Sequence, residues 1–434
     1  MALDLPLDAS LHRQIAAEQR RHGDELGSLA HLIAAQAIEA YAAGAGSAQE
    51  LCTVATGYFM KGDHETAARW YRLVLLLDPD LAIAHLNLAA IHAQAGRGEA
   101  AASCRDRAYR RQRVFIESTG AALRQVLILY AGGSAGNVPV DTLLPTARCS
   151  RIKYVIDYAA EEEDGQLPPY DLVFNAIGEA DLSAPLADRL ERFAARCQRP
   201  LLNPPRAVAR TRRHLLTALL GAVDGVAVAP CLRIESPPAS RAALAECLAR
   251  AGMAPPLLAR PAASHGGQEL VRCDSLEALD ERLRVVHGSQ YLTEFRDTRS
   301  ADGYYRKYRM IFVDREPFAY HLAISPHWMV HYFSSGMSDR PEWLAEERRF
   351  LEDPRAALGE RAMAAVAAIG RRLDLDYGGV DFAPLPDGRL LVFEANATML
   401  VHFERDSGPL AHKNLPVQTI VAAFERLLAR RSAG

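Results

Sequence analysis

Three oxygen-bearing side chains stand close together near the end of this chain, Asp381, Glu394 and Asn396, within "VDFAPLPDGRLLVFEANATML" at residues 380–400. They lie in or beside two apolar runs that read as β-strands, separated by Asp387-Gly388, a strong signal for a two-residue hairpin turn. A type I′ turn there makes Pro386 face Arg389, so that opposed residue numbers sum to 775 and Asp381 falls opposite Glu394. Asn396 lies two residues further along, on the same face, because side chains alternate along a strand. Two facing carboxylates repel each other unless a cation sits between them. Oxygen-only donors point to Mg²⁺ or Mn²⁺ rather than zinc. A polar solvent face is the plainer reading of the same residues, and a one-residue bulge would break the register.

The remaining chemistry is more dispersed. Seven cysteines occur singly, with no CxxC pair and no short-spaced Cys/His cluster, which argues against structural zinc and against a disulfide framework. His321, His327 and His331 are spaced across an expected turn and make a poor zinc triad. The chain has neither GxSxG nor HExxH, so hydrolase schemes lack support. The loop Gly132-Gly133-Ser134-Ala135-Gly136 is not a dinucleotide fingerprint and reads as a tight turn or a substrate-binding loop.

Length and composition set the frame for these groups. The 434 residues suffice for two or three domains, and 49% hydrophobic with 24% charged residues is an ordinary globular balance. A formal net charge of −3 offers no general attraction to nucleic acid or to an anionic membrane. The N-terminal "MALDLPLDASLHRQ" has no basic start followed by an apolar core, and no stretch reaches the length of a membrane span. The expectation is a cytoplasmic protein with small-molecule or protein partners.

Three sections must position the chemistry. Residues 1–118 show helical spacing and no plausible strand, and Gly62 and Ala67 recur as Gly96 and Ala101. With Tyr58, Ala67, Tyr71 and Pro79, the stretch at about 48–81 resembles a tetratricopeptide repeat. A weaker copy at about 82–115 has Arg105 and Arg113 where an aromatic and a proline are wanted. So short an array buries little on its own. The resemblance therefore implies peptide binding, packing on the rest of the chain, or self-association. Residues 119–205 alternate strands ("QVLILY", "KYVIDYA", "YDLVFNAIG") with an amphipathic helix, which means a small, mostly parallel α/β sheet. Residues 206–434 open with a basic helix, "RAVARTRRHLLTALLG", continue through strands with the loop "SHGGQ", and close with the helix "HKNLPVQTIVAAFERLLARR". This is an α+β section of mixed antiparallel sheets.

The order of "NPPRAVARTRRHLLTALL", "PLLARPAASHGGQ", "QYLTEF", "YYRKYRMIFVD" and "DYGGVDFAPLPDGRLLVFEANATM" resembles the ATP-grasp superfamily over roughly residues 125–430, nearest its glutathione-synthetase-like and ribosomal-protein-modifying ligases. The resemblance implies a multidomain chain: an all-α tetratricopeptide-like section, an α/β domain preceding the grasp, and an α+β grasp domain. It implies ATP as substrate and Mg²⁺ or Mn²⁺ held by Asp381, Glu394 and Asn396. By the same resemblance Arg260 contacts phosphates where the family has lysine, and His265, Gly266 and Gly267 belong to the loop that folds over them. Thr293, Glu294 and Phe295 match the segment that reads adenine through backbone groups, while Lys307 and Arg309 lie near the transferred phosphate. The plainer reading of Arg306, Lys307 and Arg309 is a solvated face. Trp328, His331 and Tyr332, with His402, are expected to line the acceptor pocket, and Arg212, Arg213 or His214 stands where an earlier lysine is usual. Neither expected lysine is present. The implied activity is ATP-dependent amide formation between a carboxylate and an amine, each a small molecule or a peptide, through an acyl phosphate. The alternatives are a repeat-containing adaptor that binds nucleotide without turnover and a kinase-type phosphoryl transfer.

Overall fold

The computed structural model describes residues 5–44, 48–120, 122–133, 135–262, 264, 267 and 269–432. It divides into two compact units, one containing the chain through Phe115 with short segments at 132–134 and 158–160, the other containing the rest.

The first unit is helical. α1 (Ala9–Arg21), α2 (Glu25–Ala42), α3 (Gln49–Met60), α4 (His64–Leu77), α5 (Ala82–Gln94) and α6 (Gly98–Arg111) pair as consecutive hairpins. Aspartates start three of them: Asp8, Asp24 and Asp63 accept hydrogen bonds from backbone N–H groups of the first turns of α1, α2 and α4. Gly62 and Gly96 end α3 and α5 with φ of +82° and +70°, a conformation open to glycine at little cost. Ala67, Ala101 and Tyr71 are all buried, so the small residues that repeat in the sequence lie at the helix contacts. Tyr71 also pairs through its hydroxyl with Thr56 and Asn87.

The second unit holds three sheets. In the first, β1 (Val114–Glu117), β2 (Arg124–Tyr130), β3 (Cys149–Val155), β4 (Leu172–Asn175) and β5 (Leu201–Leu202) lie in the order β1-β3-β2-β4-β5, and β2 pairs in parallel with both β3 and β4. The second is antiparallel, with β7 (Cys231–Ile234), β8 (Leu257–Pro261), β9 (Val271–Cys273) and β10 (Gln290–Glu294) in the order β7-β10-β8-β9. Helices Arg241–Arg250 and Leu276–Val285 cover it through Leu244, Leu248, Leu279 and Leu283. The third has the order β12-β11-β13-β14-β6, built from β6 (Val226–Val228), β11 (Tyr305–Val313), β12 (Glu316–Ser325), β13 (Tyr377–Pro384) and β14 (Leu390–Asn396).

Two apolar cores support this third sheet. Helices Pro341–Glu352 and Glu360–Leu373, which the sequence reading did not identify, supply Phe350, Val366 and Ile369 to one. Helix Asn414–Ser432 supplies Ile420, Phe424 and Leu427 to the other, shared with Val126 and Phe174 of the first sheet. Asn203 fixes the same junction: it is buried at φ +54°, its side chain exchanges two hydrogen bonds with the Tyr377 backbone, and its N–H donates to Asp376.

Three local expectations differ from the observed chain. Residues 1–118, expected to hold no strand, include β1 (Val114–Glu117). The basic segment expected as one helix is broken into Pro205–Ala209, a 3₁₀ turn at Arg213–Leu215 and Leu216–Leu220, because Arg212 is extended (ψ 135°) and the Thr211 hydroxyl bonds back to the Val208 carbonyl. The turn at Asp387-Gly388 is not type I′, which needs two positive φ values. Only Gly388 has one, at +81°. Leu385 N–H instead bonds Arg389 C=O, leaving a three-residue connection and pairing numbers that sum to 774 as far as Phe382 and Val392.

Candidate active site

A second irregularity in the hairpin offsets the first. The register slips by one between Asp381 and Phe382, with Phe393 as the additional residue of β14, and beyond it the pairs return to the expected sum. Asp381 therefore lies across from Glu394, as the sum of 775 predicts, and Gly379 lies across from Asn396. The facing continues over the neighbouring strands. Arg309 of β11 lies directly across from Asp381, and His321 of β12 directly across from Arg309. One row of side chains, His321, Arg309, Asp381 and Glu394, thus runs over four adjacent strands.

The row is charged and mostly buried. Arg309 donates to both Asp381 oxygens, Nε to Oδ1 at 2.6 Å and Nη2 to Oδ2 at 2.8 Å, and Lys307 Nζ stands 3.2 Å from Oδ2. Burial alone would raise the Asp381 carboxyl. The Arg309 and Lys307 charges outweigh it and hold the group well below the usual carboxylate range. Glu394 is likewise held down against burial, chiefly by Arg213, whose guanidinium it binds. His321 is 5% exposed and is pushed far below its ordinary value by burial and then by Arg309, Lys413 and Lys307. It is neutral at physiological pH.

Arg213, Arg260, Lys307, Arg309, Asp381, Glu394 and Asn396 all line one cleft of about 510 Å³. That volume falls in the usual range for a small-molecule site. Arg260, near the end of β8, is 8% exposed and donates to the hydroxyl and the carbonyl of Ser264 rather than to a carboxylate. Burial and the like charge of Arg213 bring it down to about 10, so it stays protonated at neutral pH. Gly136, Asn137 and Pro139, in the loop after β2, close one side. This is the carboxyl end of a parallel strand beside which the strand order reverses, since β3 and β4 flank β2.

The other expected residues separate. Gly267, Thr293, Glu294, Phe295, Trp328 and His331 also line the cleft. The Phe295 N–H, however, donates to Pro256 C=O, so that backbone donor is already engaged. His265 and Gly266 lie outside the described residues. His402 is not among the lining residues; its ring accepts or donates at Tyr320 Oη (3.0 Å) and Glu404 (3.1 Å). Tyr332 is buried, bonded to Glu347, and stacked on His321. Arg306 points away from the cleft and pairs with Asp302 and Glu346. Of the three candidates for an early cation only Arg213 lines the cleft; Arg212 bonds the Ala180 carbonyl and His214 stacks on Tyr291. Cys231, Tyr305, Met329, Phe393 and Leu400 also line it and were not singled out in the sequence.

The donor types of the oxygen set are those of a hard divalent cation, while in this structure Asp381 is held by Arg309 and Lys307, Glu394 by Arg213, and the Asn396 Oδ1 accepts from the Thr398 N–H and hydroxyl. Among the described residues no three His, Cys, Asp or Glu groups form a closed cage. Two carboxylates and an amide are too few to enclose an ion, but they suit Mg²⁺, which takes one or two carboxylates and completes its shell with water and phosphate oxygens.

No family model matches the chain and no curated protein does so. Among solved structures it is similar to D-alanine–D-alanine ligase from Bacillus anthracis complexed with ATP (12% identity, 71% of this chain and 97% of that one, TM-score 0.44). It is also similar to a RimK domain protein ATP-grasp from Sphaerobacter thermophilus (15%, 69% and 98%, 0.41) and to D-cycloserine synthetase DcsG (18%, 69% and 99%, 0.40).

Proposed function

We propose that the chain is an ATP-dependent carboxylate–amine ligase that forms an amide through an acyl phosphate. The observation that carries this reading is the convergence on one cleft of five cations, Arg213, Arg260, Arg296, Lys307 and Arg309, against three carboxylates, Asp381, Glu394 and the Arg296-paired Glu294, with the amide Asn396 beside them. That surplus of positive charge, beside an oxygen set suited to Mg²⁺, fits a nucleoside triphosphate and a substrate carboxylate.

Asp381, Glu394 and Asn396 would hold the metal, which when bound neutralises charge on the β and γ phosphates. Arg260 and Arg213 bind phosphate oxygens, and Lys307 with Arg309 orients the acid beside the γ-phosphate. A carboxylate oxygen attacks the γ-phosphorus and the bond to the ADP oxygen breaks. The amine nitrogen then attacks the acyl carbon, the carbon–oxygen bond to phosphate breaks, and the nitrogen's proton passes to water. The boundaries we assign are 1–118, 119–205 and 206–434, with the first section a tetratricopeptide-like array that engages a peptide or a second copy.

A second reading, nucleotide binding without turnover, is favoured by one feature: Arg309 already occupies both oxygens of Asp381. Calorimetry of ATP with and without Mg²⁺, on the wild type and Glu394→Ala, followed by an ADP-release assay with pooled acids and amines, separates the two. Mg²⁺-dependent binding lost in the variant, with substrate-stimulated ADP release, is the expected result. Binding without release favours the second reading, and absence of binding sinks both.

A further inference from the structure

Beside the charged row the cleft has an apolar rim that phosphate chemistry does not use. Met329 is 45% exposed, Leu400 38% and Phe393 39%, and all three line the cleft. Two short segments build most of this rim, the chain after β12 and the chain after β14. They meet where the rings of Phe333 and His402 stack at 6.2 Å and 27°. Phe333 is 69% exposed, and its ring lies 5.9 Å from that of His331, which lines the cleft. Met329 also reaches the connection between β8 and β9, since a Cβ placed on Gly267 would stand 3.4 Å from its sulfur. Large apolar side chains left in water beside a site usually mark a surface that something covers.

Charge indicates which substrate covers it. His331, within the rim, senses Lys307 and Arg309, both of which depress its protonation after burial does. Those two cations share the single Asp381 carboxylate, while Glu394 is taken by Arg213 of the same cleft, so the rim's polar neighbour carries three cations against two carboxylates and suits an anion rather than an ammonium group. We propose that the acid substrate of this site carries a bulky apolar group, aromatic or branched aliphatic, which packs against Phe333, Met329 and Leu400 while its carboxylate meets Lys307 and Arg309. This rests on the ligase reading for the chemistry but not for the binding.

The test therefore measures both. Binding of propionate and of 3-phenylpropionate, which share a carboxylate and differ by one ring, is measured by calorimetry with a non-hydrolysable ATP analogue and Mg²⁺. Turnover of the same acids is measured as hydroxamate formed from ATP and hydroxylamine, which replaces the unknown amine. The expected result is a preference for the phenyl acid of about tenfold or more, the order reached by burying several methylene equivalents. Phe333→Ala should reduce that preference severalfold, Met329→Ala should do likewise, and Phe333→Leu should retain most of it. A preference in binding without hydroxamate keeps the apolar subsite and overturns the ligase reading. Hydroxamate formed equally well from both acids, or a preference untouched by Phe333→Ala and Met329→Ala, overturns the subsite and leaves the ligase reading standing. Absence of both binding and turnover for the phenyl acid also overturns the subsite.

Discussion

Arg309 and Asp381 face each other on neighbouring strands and are joined by two parallel hydrogen bonds, with Asp381 1% exposed. A pair so placed carries opposite liabilities when cut and when replaced. Removing one partner leaves a buried charge, and replacing both with apolar residues of similar size does not. Arg309→Met should cost about 3–5 kcal/mol in chemical denaturation, and Arg309→Met with Asp381→Leu should recover much of that loss. A double variant as unstable as the sum of the single ones would show that the two groups are not coupled. Both variants should abolish ADP release.

Arg213 should be distinguishable from its neighbours. Arg213→Ala removes a cleft cation and strands Glu394, so ATP affinity should fall by about tenfold or more, the loss expected for a charge-assisted contact. Arg212→Ala and His214→Ala, whose side chains engage the Ala180 carbonyl and the Tyr291 ring instead, should stay within about twofold by the same reasoning. Calorimetry of the three variants checks the assignment, and equal losses at all three positions would refute it.

The helical unit should be sensitive to mild acid. His12 and His31 are buried with their Nδ1 atoms 2.7 Å apart, His12 Nε2 donates to the Pro6 carbonyl, and the His31 ring meets Trp70 edge-on at 4.9 Å. Burial, then the like charge of His12, lowers His31 to about 4 against Asp24, and burial lowers His12 as well, against its hydrogen bond to the Pro6 carbonyl and the charge of Asp8. Between about pH 6.5 and 4 the unfolded chain binds protons that the folded unit refuses, so stability is complete above pH 6.5 and declines as the pH falls. His31 alone accounts for a loss on the order of 3 kcal/mol across that window. Hydrogen exchange of peptides from α1 and α2 at pH 7.5 and 5.0, corrected for intrinsic rates, should show faster opening at pH 5.0. His31→Gln should flatten the difference, and a pH-independent wild type would remove the pair from consideration.

Asn203 should be nearly irreplaceable. Asn203→Ala would leave the Tyr377 N–H and C=O without their side-chain partners inside the protein and would hold alanine at φ +54°. A loss of about 3 kcal/mol or more is expected from these terms. Asn203→Asp, which keeps the acceptor and loses the donor, should fall between. Urea midpoints of the two variants decide this, and a loss in alanine below that in aspartate would contradict it.

How much of this was legible beforehand depends on periodicity. The facing of Asp381 and Glu394 was reached by counting back from a type I′ turn at Asp387-Gly388, yet it arises from a longer turn and a compensating bulge whose one-residue shifts cancel. Arg306, Lys307 and Arg309 form a single basic cluster in the sequence, and only strand geometry sends Arg306 outward to Asp302 and Glu346 while the other two turn to the cleft. The choice among Arg212, Arg213 and His214 depends on one extended residue inside an apparently helical run. Nothing in the spacing of His12 and His31 singles them out, since their meeting depends on how α1 packs on α2. The rim formed by Met329, Phe333 and Leu400 was equally hidden, because isolated apolar residues in loops look the same whether a core, a partner or solvent receives them.

The extra residue in β14 makes the hairpin tolerant of length change in one place and intolerant in another. The connection at 386–388 lies outside the paired strands, so a residue gained there leaves every facing pair where it is. Loss of one residue from the stretch Phe382–Pro384, with the turn and the bulge kept, would instead bring Glu394 opposite Val380 and turn it toward the apolar core. Related chains that keep the site should therefore vary freely at the tip of this hairpin while keeping one more residue between the turn and Glu394 (389–393) than between Asp381 and the turn (382–385).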